Sequence, residues 1–371
     1  MLNDVYLYNE SIDIDNYDIK ERIGSGAFGI VFRAIQKDTG EEVALKAIQL
    51  TDKLNQQKEQ RNILLEICIP RKLNLPGTVK FLGFRFPLTD EQKKTEKIVS
   101  ITTTNKDGKG RETVDLTGAI MVTQLMKNGN LESLTKIYLE SRGVGCPKMN
   151  PTIRSKIIFG ISATMKYVHK KKVIHRDLKP DNIFLDENFE PKIADFGLSK
   201  IIMDKINMTV WVGTPFFMAP ELFMNEDEDG SYTNAVDVYA FAFILYKMFT
   251  NSVFFSDKKP IRGKQQYMMK IGRKFRPIKP ELIPDPYWEL IQRCWAHDPV
   301  QRPTFAEITD LLRNDIYAIE EFGMSTDLDQ LHEYQDRIDV EPIPLSPSTP
   351  TTSDESLIDP NRQRHFNWDR H

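Results

Sequence analysis

The 371-residue sequence predicts an α+β chain in two lobes, a small β-rich lobe with one main helix followed by a larger α-helical lobe. Three observations carry this. Residues 17–122 hold runs of β-branched and aromatic residues broken by turn signals. From Glu132 onward, apolar residues recur at helical spacing. The length is enough for two lobes and a sizeable core.

The first residues are acidic and lack a basic start followed by an apolar run, so no signal peptide is read. Residues 1–16 are taken as an N-terminal extension. "GIVFRAIQ" and "EEVALKAIQL" read as two strands, and "KDTGE" between them is a turn cluster around Gly40, so a hairpin is expected. "LTDKLNQQKEQRNILLEI" has helix-forming composition, and Pro70 is expected to end or bend that helix. From Thr89 to Thr117 the chain turns polar, which suggests a surface insertion or an extended hairpin. Its basic residues read as a solvated face.

In the second part, Ile153, Ile157, Ile161, Met165 and Val168 fall at helical spacing, with Pro151 and Thr152 as starting residues. "TNAVDVYAFAFILYKMFT" is apolar on nearly every face, as expected of a helix in the middle of a lobe. "ELIQRCW" and "FAEITDLLRND" read as amphipathic helices. Beyond Asp315 the pattern weakens, and "EPIPLSPSTPTTSDESLIDP" is rich in Pro, Ser, Thr and acid. Such a segment buries too little apolar surface to offset its ordering entropy. Residues 316–371 are therefore expected to be a largely disordered tail, with a short helix near "DLDQLHEYQDRI".

Composition excludes several classes. Hydrophobic residues make up 40% and charged residues 28%, ordinary for a soluble globular protein. The net charge is -3, but from Glu321 onward eleven acidic and four basic residues give -7, leaving +4 on the rest. That balance announces no nucleic-acid partner. The longest apolar run, Val238 to Tyr246, is bounded by Asp237 and Lys247 and is too short for a membrane span. Cys68, Cys146 and Cys294 lie far apart, without zinc spacing or a disulfide framework. Reduced thiols in a cytoplasmic protein, with the nucleus also open to it, are expected.

"IGSGAFGIVFR" holds Gly24, Gly26 and Gly29 in a G-x-G-x-x-G pattern. A dinucleotide-binding fold needs a helix after these glycines, and here a strand and a hairpin turn follow. The pattern is instead completed by Val31, and "VALK" ends on Lys46 in the next strand. "VIHRDLKPDNIFL" then contains H-R-D-L-x-x-x-N in full, followed by "DFG" from Asp195 and "APE" from Ala219. From about Tyr17 to Asp315 the chain resembles the eukaryotic protein kinases. The resemblance implies a bilobal fold with an N-lobe at 17–126, carrying an insertion at about 88–117, and a C-lobe at 127–315.

It further implies ATP bound between the lobes, with magnesium, and protein substrates. Gly24, Ser25, Gly26, Ala27, Phe28 and Gly29 are the expected phosphate loop, with Phe28 at its tip. Lys46 resembles the lysine that holds the α- and β-phosphates, aimed by Glu66. Glu59 also qualifies by composition, but counting back from "NLPGTVKF" favours Glu66. Leu75 replaces the histidine usual in that segment, and Pro70 is a second departure. Asp177 resembles the catalytic base and Lys179 the charge-neutralising lysine. Asn182 and Asp195 resemble the metal ligands, hard oxygen donors that suit magnesium. Ile23, Val31, Ala44 and Leu185 are expected around adenine, with Thr123 as gatekeeper and Gln124 to Met126 as hinge. Asp237 resembles the aspartate that braces the catalytic loop, and Arg302 is expected to pair with Glu221.

"DLKPDN" and "GTPFFMAPE" have the serine/threonine form, and the hinge and "CWAHDPVQRPTF" resemble the tyrosine-kinase-like branch. In the activation segment Thr209 is expected as the phosphorylation site ordered through Arg176, and Thr214 as structural. Ser346 and Thr349, each before a proline, are candidate sites for other kinases. The rival readings are a pseudokinase scaffold, which predicts loss of Lys46, Asp177 or Asp195, and a dual-specificity or tyrosine kinase.

Overall fold

The computed structural model describes residues 12–26, 29–48, 67–69, 71, 73, 75–88, 92–95, 98–104, 110–140, 149–196, 199–201, 217–224, 232–250, 264–321 and 323–341. They fall into two compact units, one formed by residues up to 71 with 80–125, the other by 72–79 with 126–342.

The first unit is built on strands β1 (Tyr17–Gly26), β2 (Gly29–Gln36), β3 (Glu42–Ile48), β4 (Phe81–Arg85) and β7 (Ala119–Gln124). They form one antiparallel sheet in the order β1-β2-β3-β7-β4. Period-two alternation sets its faces. Phe32, Ala34, Val43, Leu45 and Ala47 point into a core shared with Ile120 and Val122. Val31, Arg33, Ala44 and Lys46 take the other, half-exposed face. Each large side chain taken fully out of water contributes about 1.5–3 kcal/mol.

The polar insertion holds a short helix, α1 (Gln92–Thr95), and a hairpin of β5 (Ser100–Thr104) and β6 (Arg111–Asp115). Val114 and Leu116 join the core, so the hairpin is tied down at its base. Of the end or bend expected at Pro70, the end is not seen, and one lobe boundary nearby departs from expectation. Arg71 and Leu73, beyond the proline, are still helical. A proline removes one backbone donor, and the burial of Ile69 and Leu73 on either side offsets that loss. Residues 72–79, assigned to the N-lobe by sequence, belong to the second unit. The Ile193 amide donates to the Gly77 carbonyl at 2.8 Å and the Val79 amide to the Ile193 carbonyl at 3.0 Å.

The second unit contains α2 (Leu131–Glu140), α3 (Pro151–Lys170), the short strands β8 (Val173–Ile174), β9 (Ile183–Leu185), β10 (Pro191–Ile193) and β11 (Lys200–Ile201), then α4 (Glu221–Met224) and α5 (Ala235–Thr250). After these come α6 (Lys264–Gly272), α7 (Asp285–Cys294) and α8 (Phe305–Leu312). α3 starts where Asn150 accepts the Ile153 amide at 2.8 Å, with Pro151 at the first helical position, where no donor is needed. α5 is buried from Val236 to Phe249, as its uniform apolarity predicts. α8 starts with a capping box between Thr304 and Glu307.

The folded chain runs past the boundary expected at residue 315. β12 (Glu320–Glu321) pairs with β13 (Met324–Ser325), and α9 (Leu328–Ile338) packs on α3. Leu331, Tyr334, Gln335 and Ile338 are buried. The short helix expected near "DLDQLHEYQDRI" is present, but the polar average of the stretch masks the apolar stripe at i, i+3 and i+7 that docks it and keeps it out of the tail.

Candidate active site

The strand pairing sets out one surface of the first unit. Gly24 faces Val31, Val31 faces Lys46, and Lys46 faces Met121. In a second row Arg33, Ala44, Thr123 and Phe81 lie opposite one another. Cross-strand partners share a face. Val31, Ala44, Lys46 and Thr123 therefore gather on the half-exposed side of the sheet. Ile23, 47% exposed, precedes Gly24 in β1. Ser25 pairs with Ile30 and Gly26 with Gly29 where the hairpin turns.

Gly29 has a φ of +146°, and a Cβ there would lie 2.2 Å from the Ala47 carbonyl oxygen. The third glycine of the loop is thus required by the close approach of β3 alone. Ala27, Phe28 and Glu66 lie outside the described residues, as do Glu59, Thr209 and Thr214.

In the second unit the loop after β8 is organised by Asp237 of α5, only 1% exposed. Its carboxylate accepts the His175 and Arg176 amides, each at 2.8 Å, and lies 2.9 Å from Nε2 of His169. Burial pushes the Asp237 pKa up, but the hydrogen bond to His169, the electrostatic attraction of that imidazole and the bond from the His175 amide outweigh it. The carboxyl sits below its ordinary value. Arg176 is held in a left-handed conformation, φ 66°, which costs a non-glycine residue about 1–2 kcal/mol. Its guanidinium donates to the Tyr232 hydroxyl at 2.7 Å and the Ser199 carbonyl at 3.3 Å.

The residues that follow are brought together. Lys179 Nζ lies 2.6 Å from Asp177 Oδ2. Asn182, in the turn Pro180–Asn182, donates to the Asp177 carbonyl at 2.8 Å and to Oδ2 at 3.1 Å. The Ala194 amide donates to the Asn182 carbonyl at 2.9 Å, so Asp195 emerges beside Asn182. His175 joins the two segments. Its Nδ1 accepts the Asp177 amide at 3.3 Å, which leaves Nε2 to donate to the Ala194 carbonyl at 3.0 Å. The Phe196 ring lies 4.9 Å from the His175 ring.

Asp195 is left-handed, φ 62°, and its buried Oδ1 has no hydrogen-bond partner among the described residues. A buried carboxylate oxygen without a donor fits a hard cation. Among the described residues no three His, Cys, Asp or Glu side chains cluster as a cage. A magnesium ion shared with phosphates needs only one or two protein donors.

Met126 and Leu185 are also drawn together. The Leu185 amide donates to the Gly129 carbonyl at 2.9 Å, and the Gly129 amide to the Met126 carbonyl at 3.3 Å. Gln124, at the end of β7, faces Val43. Arg302 donates to both carboxylate oxygens of Glu221, at 2.6 and 2.9 Å. Sequence reading gave no part to His169, His175, Tyr232 or Asn128, whose amide donates to the Asp186 carbonyl at 2.6 Å. Only His175, inside the H-R-D motif, carried a signal that could have found it.

The described residues include no helix long and apolar enough to cross a membrane. The family model for the protein kinase domain matches residues 17–312. A probable serine/threonine-protein kinase of Dictyostelium discoideum is 31% identical over 309 residues, covering 83% of this chain and 29% of that protein. The dual specificity protein kinase shkB of the same organism is 30% identical over 301 residues, 79% of this chain and 39% of its own. Serine/threonine-protein kinase STY17 of Arabidopsis thaliana is 27% identical over 303 residues, 81% of this chain and 45% of its own. The chain thus spans less than half the length of each of these relatives. The family match covers the sheet face that carries Lys46 and the loop that joins Asp177, Lys179 and Asn182: the chain belongs to the protein kinase domain family.

Proposed function

We propose that the chain transfers the γ-phosphate of ATP to serine and threonine hydroxyls of protein substrates, with magnesium as its metal, as a cytoplasmic signalling enzyme of the tyrosine-kinase-like branch. The observation that carries this reading is the Asp177 carboxylate, held by Lys179 and Asn182, with Asp195, next to the Ala194 that bonds Asn182, keeping a buried oxygen that has no donor among the described residues.

In this reading Asp177 orients the substrate hydroxyl and takes its proton. Lys179, fixed on the same carboxylate, neutralises charge on the phosphoryl group in transfer. Asn182 and Asp195 would hold the metal. When bound, magnesium supplies neutralisation of the phosphate oxygens. Lys46 holds the α- and β-phosphates, aimed by Glu66, under a loop of Gly24, Ser25, Gly26, Ala27, Phe28 and Gly29. Ile23, Val31, Ala44, Thr123, Gln124, Met126 and Leu185 surround adenine. Phosphorylation of Thr209 orders the activation segment through Arg176.

Radiolabelled phosphate transfer with magnesium, wild type against Asp195→Ala, tests the activity. Transfer that survives in the variant, or is missing from the wild type, refutes it. A dual-specificity reading is favoured by the similarity to shkB. Phosphoamino-acid analysis of the product decides between the two.

A further inference from the structure

Residues 318–341 lie beyond the span matched by the kinase family, yet buried residues among 318–321 and 323–341 pack into the helical unit. Tyr334 of α9 is 1% exposed. A Cβ on Gly160 of α3 would lie 2.1 Å from the Tyr334 hydroxyl and 2.6 Å from Cγ of Pro191. So α3, α9 and the first residue of β10 converge on one point. One turn further along α9, Arg337 pairs with Glu190, whose side chain is only 8% exposed. The end of the segment is tied by Asp339, which lies 2.6 Å from Lys166 and 3.1 Å from Arg313.

Pro191 and Glu190 stand at the start of a hydrogen-bonded path to the site. The Asp186 amide donates to the Glu190 carbonyl at 3.1 Å, and the Glu190 amide to Asp186 Oδ1 at 2.9 Å. Pro191 faces Leu185 and Ile193 faces Ile183 across β9 and β10. The next residue, Ala194, donates to Asn182, and Asp195 follows in its left-handed conformation.

We propose that residues 318–341 form a latch in which Tyr334 and Arg337 are positioning residues. Through Pro191 and Glu190 they set where β10 holds Leu185, Asn182 and Asp195. The proposal rests on the phosphotransfer reading for its kinetic consequence. Removing Arg337 leaves the buried Glu190 carboxylate without its ion-pair partner, a state the turn from Asp186 to Glu190 escapes by moving. A shift of that kind is carried by β10 into the residues read as adenine and metal contacts.

The test uses the full chain with Arg337→Gln, Glu190→Gln, the double variant and Arg337→Lys. Arg337→Gln is expected to raise both KM for ATP and the magnesium concentration at half-maximal rate by about threefold or more. Glu190→Gln should do the same, the double variant should be no worse than the worse single, and Arg337→Lys should stay near wild type. A merely structural latch would lower the melting temperature and leave both constants unchanged. That result, or single effects that multiply in the double variant, overturns the proposal. Amide exchange at Ile193 and Ala194, compared with Phe241 in α5, reads the latch without any activity. Faster exchange in Arg337→Gln is expected, and unchanged exchange also overturns it. A wild type that transfers no phosphate while Arg337→Gln still speeds this exchange refutes the activity and leaves the latch standing.

Discussion

Asp237→Asn removes one formal charge and changes no heavy-atom count, so its effect is electrostatic. The carboxylate accepts two backbone amides at 2.8 Å through different oxygens, Oδ2 from His175 and Oδ1 from Arg176. An asparagine accepts through one oxygen only and sets an NH2 against the second amide. One charge-assisted bond, about 1.5–3 kcal/mol, is lost and its donor stays buried without a partner. With the weakened contact to His169, the expected loss of stability is about 3 kcal/mol. Where the Arg176 bond is the one lost, its left-handed backbone is held only through its guanidinium's contacts to Tyr232 and Ser199 among the bonds described, and kcat should fall at least about tenfold. Urea unfolding followed by tryptophan fluorescence measures the first quantity and steady-state kinetics the second. The folded carboxyl titrates below its unfolded value of about 3.9. Its contribution is therefore complete above that pH and is lost only as pH falls through the lower folded value. The stability gap between wild type and variant should persist down to about pH 4 and close only below it. A loss under about 1 kcal/mol, or a gap that closes while the carboxyl is still ionised, refutes the bracing role.

Three further outcomes are expected. Gly29→Ala places a Cβ against the Ala47 carbonyl at a φ of +146°; it should cost about 2 kcal/mol or more by thermal melt and raise KM for ATP. Arg302→Lys keeps the charge but loses the fork on Glu221 and the bonds to the Ala296 and Ala235 carbonyls at 2.8 and 2.9 Å. At about 1 kcal/mol per lost bond, urea unfolding should show about 2–4 kcal/mol of destabilisation. Burial pushes the Cys294 thiol well above its ordinary range, so iodoacetamide at pH 8 should label Cys68 and spare Cys294 until the chain unfolds, as read by peptide mass spectrometry.

Much of the site was legible because its chemistry lies in short, contiguous motifs. The strand pair around "KDTGE", the buried α5 helix and the loop from His175 to Leu185 each carry their own local signal. The parts that escaped are long-range. Residues 72–79 look like the end of the first lobe in sequence, and only hydrogen bonds to Ile193 assign them to the second unit. Pro70 reads as the end or a bend of a helix, and that the helix does not end there goes with the burial of Ile69 and Leu73, which is invisible along the chain.

The sequence by itself determined the residue types that phosphate chemistry needs and their order, since Lys46, Asp177, Asn182 and Asp195 stand in motifs of fixed spacing. Only the tertiary structure decided which groups hold them. Asp237 lies about sixty residues from the amides that it binds, and His175 reaches Ala194 across another segment. The requirement for glycine at Gly29 comes from a carbonyl on a different strand. The short helix at 328–338 was legible in the sequence, but its packing as a latch was not, for the same reason. Its apolar stripe is short and diluted by charge, and its stability comes from a surface on α3 that exists only once the chain has folded.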